Sequence, residues 1–219
     1  MVIIGFVDGK LDCREDHYEF DFSGGALCLD FANTIPDRPC CEKEHLTSFS
    51  RLLTWAEQAG IVGEEARDSL RHAADEAPAE MERVLEEATE LRECLYRIFS
   101  TLADGACVTA PDLEVLNRWV KKAFSELKVR EGDCGFEWAY PPVRNLLDYF
   151  LHPVARSAAE LLTSEDLPLV RECGSEACSW LFLDRSRTKR RRWCDMKTCG
   201  NRAKARRHYA RSRAGHPET

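Results

Sequence analysis

Four cysteines near the end of the chain, arranged in two pairs of equal spacing, constrain this sequence more than any other feature. The pairs are Cys173-x4-Cys178 and Cys194-x4-Cys199, with fifteen residues between them. Each pair can reach one cation, and the intervening segment suits a hairpin or knuckle that closes on it. Four thiolates around one cation form a structural zinc site, which is tetrahedral and has no open position for chemistry. We therefore expect one structural Zn²⁺ bound by all four cysteines.

The composition is that of an ordinary soluble protein. The chain has 219 residues, of which 44% are hydrophobic and 32% charged, so it can bury a core. It has no apolar run of about 18 residues, as a membrane-spanning helix would need, and residues 1–6 are too few for a signal peptide. These features predict a cytoplasmic protein with no membrane partner. The seven cysteines outside the two pairs are interpreted as small buried hydrophobes or incidental thiols.

The net charge of −7 conceals a strong asymmetry along the chain. Residues 184–219 contain 13 basic and 3 acidic residues, whereas residues 1–183 contain 18 basic and 35 acidic ones. The local charge is therefore +10 in the C-terminal segment and −17 in the rest. A phosphate backbone responds to the local field, so the acidic body should repel DNA while the C-terminal segment attracts it.

Hydrophobic periodicity predicts a mainly α-helical N-terminal domain with minor β-structure. Residues 1–22 contain the turn signal Asp8-Gly9 and are read as a short hairpin, and a short strand is expected over 136–140. The apolar stretch 26–34 is either a buried helix or a strand, and we favour a helix. Further helices are expected from a cap at Ser48 or Thr47 to Gly60, and over 63–76, 79–102, 111–127 and 143–163, the last interrupted or kinked near His152-Pro153.

The domain boundary is placed between the helical part and the cysteine pairs. We expect domain 1–165 to be helical and domain 166–219 to be a treble-clef-like or knuckle-type zinc module. Residues 167–170 are read as an extended lead into Cys173, and 201–213 as a helix capped by Thr198 or Asn201. Because this module has few apolar residues, the metal should supply much of its folding free energy.

The basic residues around the cysteine pairs predict a DNA-binding surface. A run so uniform in sign repels itself, which suggests an anionic partner, and arginine suits bidentate contacts with phosphate or guanine. The alternative is a zinc-ribbon adaptor that binds RNA or an acidic protein. The candidate contact residues are Arg190, Arg191, Arg192, Arg202, Lys204, Arg206, Arg207 and Arg211.

An enzyme is disfavoured by the same residues. Asp30, His17, His45 and Cys41 form no pattern of nucleophile, base and orienting group, and no phosphate-cradling glycine loop is present. A zinc ion saturated by four thiolates also has no open coordination position. We therefore expect no catalytic residues.

A DNA-binding protein that responds to a signal needs a domain that receives the signal, and the helical domain is the candidate for this role. Asp30 and Asn33 lie one helical turn apart and share a face. They either line a pocket for a small-molecule effector or cap and cross-link helices, and we favour the second role. A homodimer is also an option because DNA readers often pair half-sites, although no sequence feature fixes the oligomeric state.

The C-terminal residues resemble the CGNR zinc-finger family. The naming motif is intact as Cys199-Gly200-Asn201-Arg202, and the pattern extends through Trp180-x-Phe182-x-Asp184-x-Ser186 and Arg192-Trp193-Cys194-x-Met196. The segment Leu29-Asp30-Phe31-x-Asn33-Thr34 is similar to the opening motif of the ABATE domain, the usual N-terminal partner.

This resemblance implies a bacterial, stress-related, DNA-binding transcription regulator whose zinc ligands are the four paired cysteines. It also implies that Asn201 organises the turn after the last ligand. Arg202 would contact DNA or brace the knuckle.

Overall fold

The computed structural model describes residues 18–35, 38, 44–132, 135–140 and 147–214. The predicted N-terminal hairpin falls mostly on residues outside this part, as do His17 and Cys41. Within the described part, no helix is both long and apolar enough to cross a bilayer. The fold is mainly α-helical with minor β-structure, as predicted, and its described strands form two small antiparallel sheets.

Five of the six helices of the N-terminal part begin and end close to the predicted positions, but the helix predicted over 143–163 begins only at His152. Ser48 caps one of them by accepting a hydrogen bond from the backbone N–H of Arg51, and Thr109 caps another through the N–H of Asp112. The helices are α1 (Leu27–Ala32), α2 (Phe49–Gln58), α3 (Glu64–Glu76), α4 (Pro78–Ala103), α5 (Ala110–Glu126) and α6 (His152–Leu162).

The long helix α4 is the centre of the core. Its fully buried residues follow the three-four spacing read from the sequence, among them Val84, Leu91, Leu95 and Ile98. Helix α4 packs against α1, α2, α3 and α5. One hydrophobic cluster therefore joins all the N-terminal helices.

Two β-hairpins complete the fold. Strands β1 (Lys128–Gly132) and β2 (Gly135–Ala139) follow α5, and strands β3 (Val170–Glu172) and β4 (Leu181–Leu183) follow α6. The sequence predicted β2 but missed β1, because the alternation of Lys128-Val-Arg-Glu-Gly132 holds a single apolar residue.

Two predicted segments differ in detail. The extended lead over 167–170 is wrong for its first three residues, because Leu167–Leu169 form a 3-10 turn with Pro168 near its start, and β3 begins only at Val170. A second 3-10 turn, Tyr149–Leu151, precedes α6, so the expected interruption near His152-Pro153 is where α6 begins.

Candidate metal centre and basic surface

The first cysteine pair lies in the connection between β3 and β4. Cys173 directly follows β3, and its backbone N–H donates to the carbonyl of Trp180 at 2.9 Å, which extends the hairpin by one pair. The N–H of Cys178 donates to the carbonyl of Ser175 at 2.9 Å and closes a tight turn. The hairpin thereby brings both sulfurs to the same end of the sheet.

The second cysteine pair lies at the start of the C-terminal helix α7 (Asn201–Ala214). One turn of π-helix, Met196–Gly200, carries Cys199 into that helix. The carboxylate of Asp195 caps the turn by accepting from the N–H of Thr198 at 2.7 Å. The prediction of Thr198 or Asn201 as the cap was wrong, because the helical turns start one residue after Asp195; the Asn201 amide instead donates to the carbonyl of Lys197.

The four cysteine sulfurs form one buried cluster. All four lie within 4.8 Å of one another, and the separations Cys178–Cys194 and Cys194–Cys199 are both 3.7 Å. A zinc ion with four sulfurs at about 2.3 Å in tetrahedral geometry requires sulfur–sulfur separations of about 3.8 Å. The donor set and its spacing therefore fit one structural zinc ion held by Cys173, Cys178, Cys194 and Cys199.

Hydrogen bonds among the sulfurs place the negative charge on Cys173. The thiols of Cys178 and Cys194 hydrogen-bond to the sulfur of Cys173 and lower the pKa of Cys173, and the same bonds raise the pKa of Cys178 and Cys194. The backbone N–H groups of Cys194 and Ser175 lower the pKa of Cys173 further. Such N–H donors orient the ligands and stabilise their charge. The backbone N–H of Gly174 also donates to the carbonyl of Arg192 at 2.8 Å, which ties the two cysteine pairs together.

A buried carboxylate shapes the basic loop between the cysteine pairs. Asp184 is fully buried and accepts three hydrogen bonds, from the N–H and hydroxyl of Ser186 and from the N–H of Arg191. Burial alone would raise the pKa of Asp184, but the hydrogen bonds from Ser186 and Arg191 outweigh it and hold this pKa below its usual value. Sequence analysis identified Asp184 only as part of a motif, because its hydrogen-bond partners follow from the fold of the loop.

The predicted nucleic-acid contacts fall into two groups. Arg191 is half-buried: its guanidinium donates to the carbonyl of Trp193 at 2.8 Å and stacks over the Phe182 ring at 4.6 Å. It braces the module. The other described candidates are all exposed, namely Arg190, Arg192, Arg202, Lys204, Arg206 and Arg207. Arg211 lies in α7, at a position whose side chain is outside the described part.

Most of the exposed candidates have no acidic partner among the residues that the structure describes. Arg206 bonds to Glu176 at 2.9 Å, but the Glu176 side chain is 91% exposed, so this pair contributes little. For the other five exposed candidates, no carboxylate among the described residues lies within salt-bridge distance. The result is an uncompensated positive surface along α7 and the preceding loop.

Of the two residues considered for a ligand pocket, Asn33 contacts β4 directly and Asp30 is connected to β4 through Gly24. The side-chain amide of Asn33 donates to the carbonyl of Leu181 and accepts from its N–H, both at 2.8 Å. The carboxylate of Asp30 accepts from the N–H of Gly24 at 2.7 Å, and the carbonyl of Gly24 accepts from the N–H of Leu183 at 2.8 Å. We call these contacts the α1 clamp; they fix the zinc hairpin to helix α1.

Further contacts that the sequence did not reveal join the hairpin to the helices. The carboxylate of Glu172 in β3 accepts from the hydroxyls of Tyr96 and Ser100 on α4, at 3.2 and 2.5 Å. The indole of Trp180 donates to the carbonyl of Ile35 at 3.2 Å. Each pair is far apart in sequence and has no local pattern that could have identified it.

The enzyme candidates do not come together in the described part of the chain. His45 bonds to Tyr18 at 2.9 Å, and Asp30 belongs to the α1 clamp. His17 and Cys41 lie outside the described residues.

Comparison with known proteins assigns both parts of the chain. Residues 25–165 match the model of the ABATE family, described as "putative stress-induced transcription regulator". Residues 170–212 match the CGNR zinc finger. A search of curated proteins finds no match. Since the first match covers more than half of the sequence, the chain belongs to the ABATE family, with a CGNR zinc finger that follows the ABATE domain.

Proposed function

We propose that this protein is a zinc-dependent, DNA-binding transcription regulator of the cytoplasm. The observation that carries the proposal is the positive surface formed by α7 and the loop before it. Its arginines and lysine are exposed, and most have no acidic partner among the described residues. A helix that is polar on all its faces and lacks compensating ion pairs gains little from the fold itself. Its charge pattern is explained by a polyanionic partner.

The zinc ion acts as a structural element in this proposal. Four thiolates saturate it, so its contribution is to fix the hairpin, the loop and the start of α7 relative to one another. Cys199 is the last ligand, and α7 begins two residues later at Asn201. The direction of the basic helix is therefore set by the metal site, which should make DNA binding depend on zinc.

Duplex DNA is favoured over an acidic protein by the chemistry of the surface. Arginine outnumbers lysine there, and its planar guanidinium matches phosphate and guanine bidentately. Helix α7 has the length and polarity of an element that enters the major groove, with Arg202 and Arg206 one turn apart on one face and Lys204 and Arg207 on another. The acidic body would restrict DNA to this side of the molecule.

We propose that the helical domain receives the regulatory signal. A small-molecule effector that bound near Asp30 and Asn33 would have to compete with the hydrogen bonds of the α1 clamp. Its binding would therefore change the contacts that hold β4. This is a route by which a signal could change the orientation of the zinc module. A homodimer would present two basic helices to two half-sites.

Fluorescence anisotropy with random-sequence duplex DNA tests the proposal. We expect zinc-loaded protein to bind with an affinity that falls steeply with salt, and chelator-stripped protein to lose this binding. Arg206→Ala combined with Arg207→Ala should reduce the slope of log K against log salt by about 2, because each lost phosphate contact releases about one counterion fewer.

A matched control uses arginines outside the positive surface. Arg83 on α4 pairs with Glu80 and Glu87, and Arg118 on α5 pairs with Glu90. Arg83→Ala combined with Arg118→Ala removes the same charge but should leave the salt slope unchanged. Equal slopes for the α7 variant and wild-type protein would exclude α7 as the contact surface. Absence of binding at low salt would favour a protein-binding adaptor.

A further inference from the structure

Among the described residues, the large apolar side chains that are exposed are concentrated in one stretch. Four of the seven belong to the end of α5 and the β1–β2 hairpin: Phe124, Val129, Phe136 and Trp138 are 49%, 59%, 82% and 56% exposed. We call the three hairpin residues, Val129, Phe136 and Trp138, the aromatic patch. Scattered exposed hydrophobics need no explanation, but a contiguous group marks an interaction surface.

The register of the hairpin places its three apolar side chains on one face. Val129 pairs with Trp138, and Glu131 pairs with Phe136, so Val129, Phe136 and Trp138 point to the same side. The opposite side holds the next pair, Arg130 and Glu137, which form a salt bridge at 2.7 Å. Lys128 shares that side, and Glu131 lies beside Phe136 on the other. One side of the hairpin is therefore polar, while the other exposes aromatic rings to water beside one carboxylate.

We propose that the aromatic patch is a homodimer interface, in which it packs against the same patch of a second copy around a two-fold axis. A two-stranded hairpin on its own is marginally stable in water and needs a covered face. Among the described residues, both faces of β1 and β2 are largely exposed. A symmetric partner would cover the apolar face and leave the polar one in solvent.

The area of the patch agrees with the needs of a stable dimer. A fully exposed aromatic side chain offers about 150–250 Å², so Phe136 and Trp138 together supply on the order of 300 Å² at their exposures. Val129 brings the apolar area to on the order of 350 Å² per copy. A standard interface covers about 800 Å² per partner, of which somewhat more than half is apolar. The patch can supply the apolar centre of such an interface.

The charges of the hairpin disfavour nucleic acid as the occupant of the aromatic patch. Glu131 lies on the same face as the patch, whereas Lys128 and Arg130 lie on the opposite face. A single-stranded nucleic acid could stack on the rings but would need a positively charged groove beside them. Residues 128–139 contain two basic and three acidic residues, so the hairpin is acidic, and its apolar area is the feature that a second copy would cover.

Sedimentation velocity of the zinc-loaded full chain, without DNA, tests this interface. We expect wild-type protein to pass from monomer to dimer between about 1 and about 100 μM. Phe136→Ser and Trp138→Ser, made singly, should each raise the dissociation constant at least about tenfold, because large aromatic side chains at the centre of an interface dominate its affinity.

Glu137→Ala is the matched control, because Glu137 lies between these two residues in β2 but on the opposite face. It should dimerise within about twofold of wild type. Zinc content and thermal unfolding of each variant check that it is folded. A wild-type chain that stays monomeric at the highest concentration, or serine variants that dimerise as wild type does, would overturn the proposal. Since DNA is absent, the outcome is independent of the proposed DNA binding.

Discussion

The two β-hairpins of this protein are similar in kind but opposite in environment. Each is a two-stranded antiparallel sheet, yet all three residues of β4 are buried, whereas most residues of β1 and β2 are exposed. Residues alternate along β4 between two covered faces: Leu181 and Leu183 enter the helical core, and Phe182 packs against the cysteines. The strand is the wall that the helical core and the metal centre share.

The difference shows what a short hairpin requires. Three-residue strands contribute few backbone hydrogen bonds, so β3–β4 depends on its coverage by the helical core on one face and the cysteine cluster on the other. The longer β1–β2 hairpin has more backbone pairs but no apolar cover among the described residues. The β3–β4 hairpin should therefore be sensitive to any change at the zinc site. The β1–β2 hairpin should be insensitive to such a change in the monomer.

Among the variants, Cys194→Ser should cause the largest loss of stability, and it should act on the β3–β4 hairpin. Three thiolates would hold zinc weakly, and the module would lose on the order of 5 kcal/mol or more of folding free energy. Because Val170, Leu181 and Leu183 belong to the helical core, we expect the melting temperature of the helical domain to fall as well. Zinc analysis and thermal unfolding by circular dichroism measure both effects.

Cys107→Ser is the control, since Cys107 is an exposed thiol outside the zinc ligands. It should keep one equivalent of zinc and the wild-type melting temperature. If Cys194→Ser also kept one equivalent, the four-cysteine site would be disproved. If it lost zinc while the helices melted as in wild type, the core and the module would be independent.

The parts of this structure that the sequence predicted are those encoded locally. Helix α4 follows from apolar residues at three-four spacing, and the zinc ligands follow from two cysteine pairs whose members are each five positions apart. Strand β1 was missed because an exposed hairpin has no buried face to impose apolar alternation. The fold of such a segment depends on pairing with β2, which is a tertiary property.

The α1 clamp could not have been predicted in detail. Asn33 and Leu181 are 148 positions apart, and their two hydrogen bonds exist only because α1 and β4 lie side by side. An asparagine in a helical segment reads equally well as a cap, a pocket residue or a cross-link. The sequence predicted that Asn33 and Asp30 share a helix face, but it did not predict which strand Asn33 contacts.

Asn33→Ala should cause the second-largest loss of unfolding free energy. It leaves the N–H and the carbonyl of Leu181 buried without a partner, which costs about 2–4 kcal/mol of unfolding free energy. Urea titration of zinc-loaded protein measures this loss. Asn117→Ala makes the same substitution at an exposed position of α5 and should change stability by less than about 0.5 kcal/mol. Similar losses for the two variants would mean that the α1 clamp contributes nothing.

Asp30→Asn should have the smallest effect, and it should appear as a change in pH dependence. Burial raises the pKa of Asp30 from its ordinary 3.8 to about 7, although the hydrogen bond from the N–H of Gly24 opposes the rise. The folded protein therefore binds this proton more tightly than the unfolded chain. The stability that Asp30 contributes is fully present below about pH 4 and is lost as the pH rises through 7.

The asparagine variant keeps an oxygen acceptor for Gly24 but cannot ionise. Between about pH 5 and pH 8, wild-type protein should lose on the order of 2 kcal/mol relative to the variant, measured by urea titration at each pH. Asp75→Asn, at an exposed position of α3, should reproduce the wild-type profile. Parallel profiles for wild type and Asp30→Asn would show that Asp30 does not ionise in this range. A steeper wild-type profile would mean that deprotonation weakens the attachment of the zinc hairpin to α1, while β1–β2, which has no contact with the clamp, is unaffected.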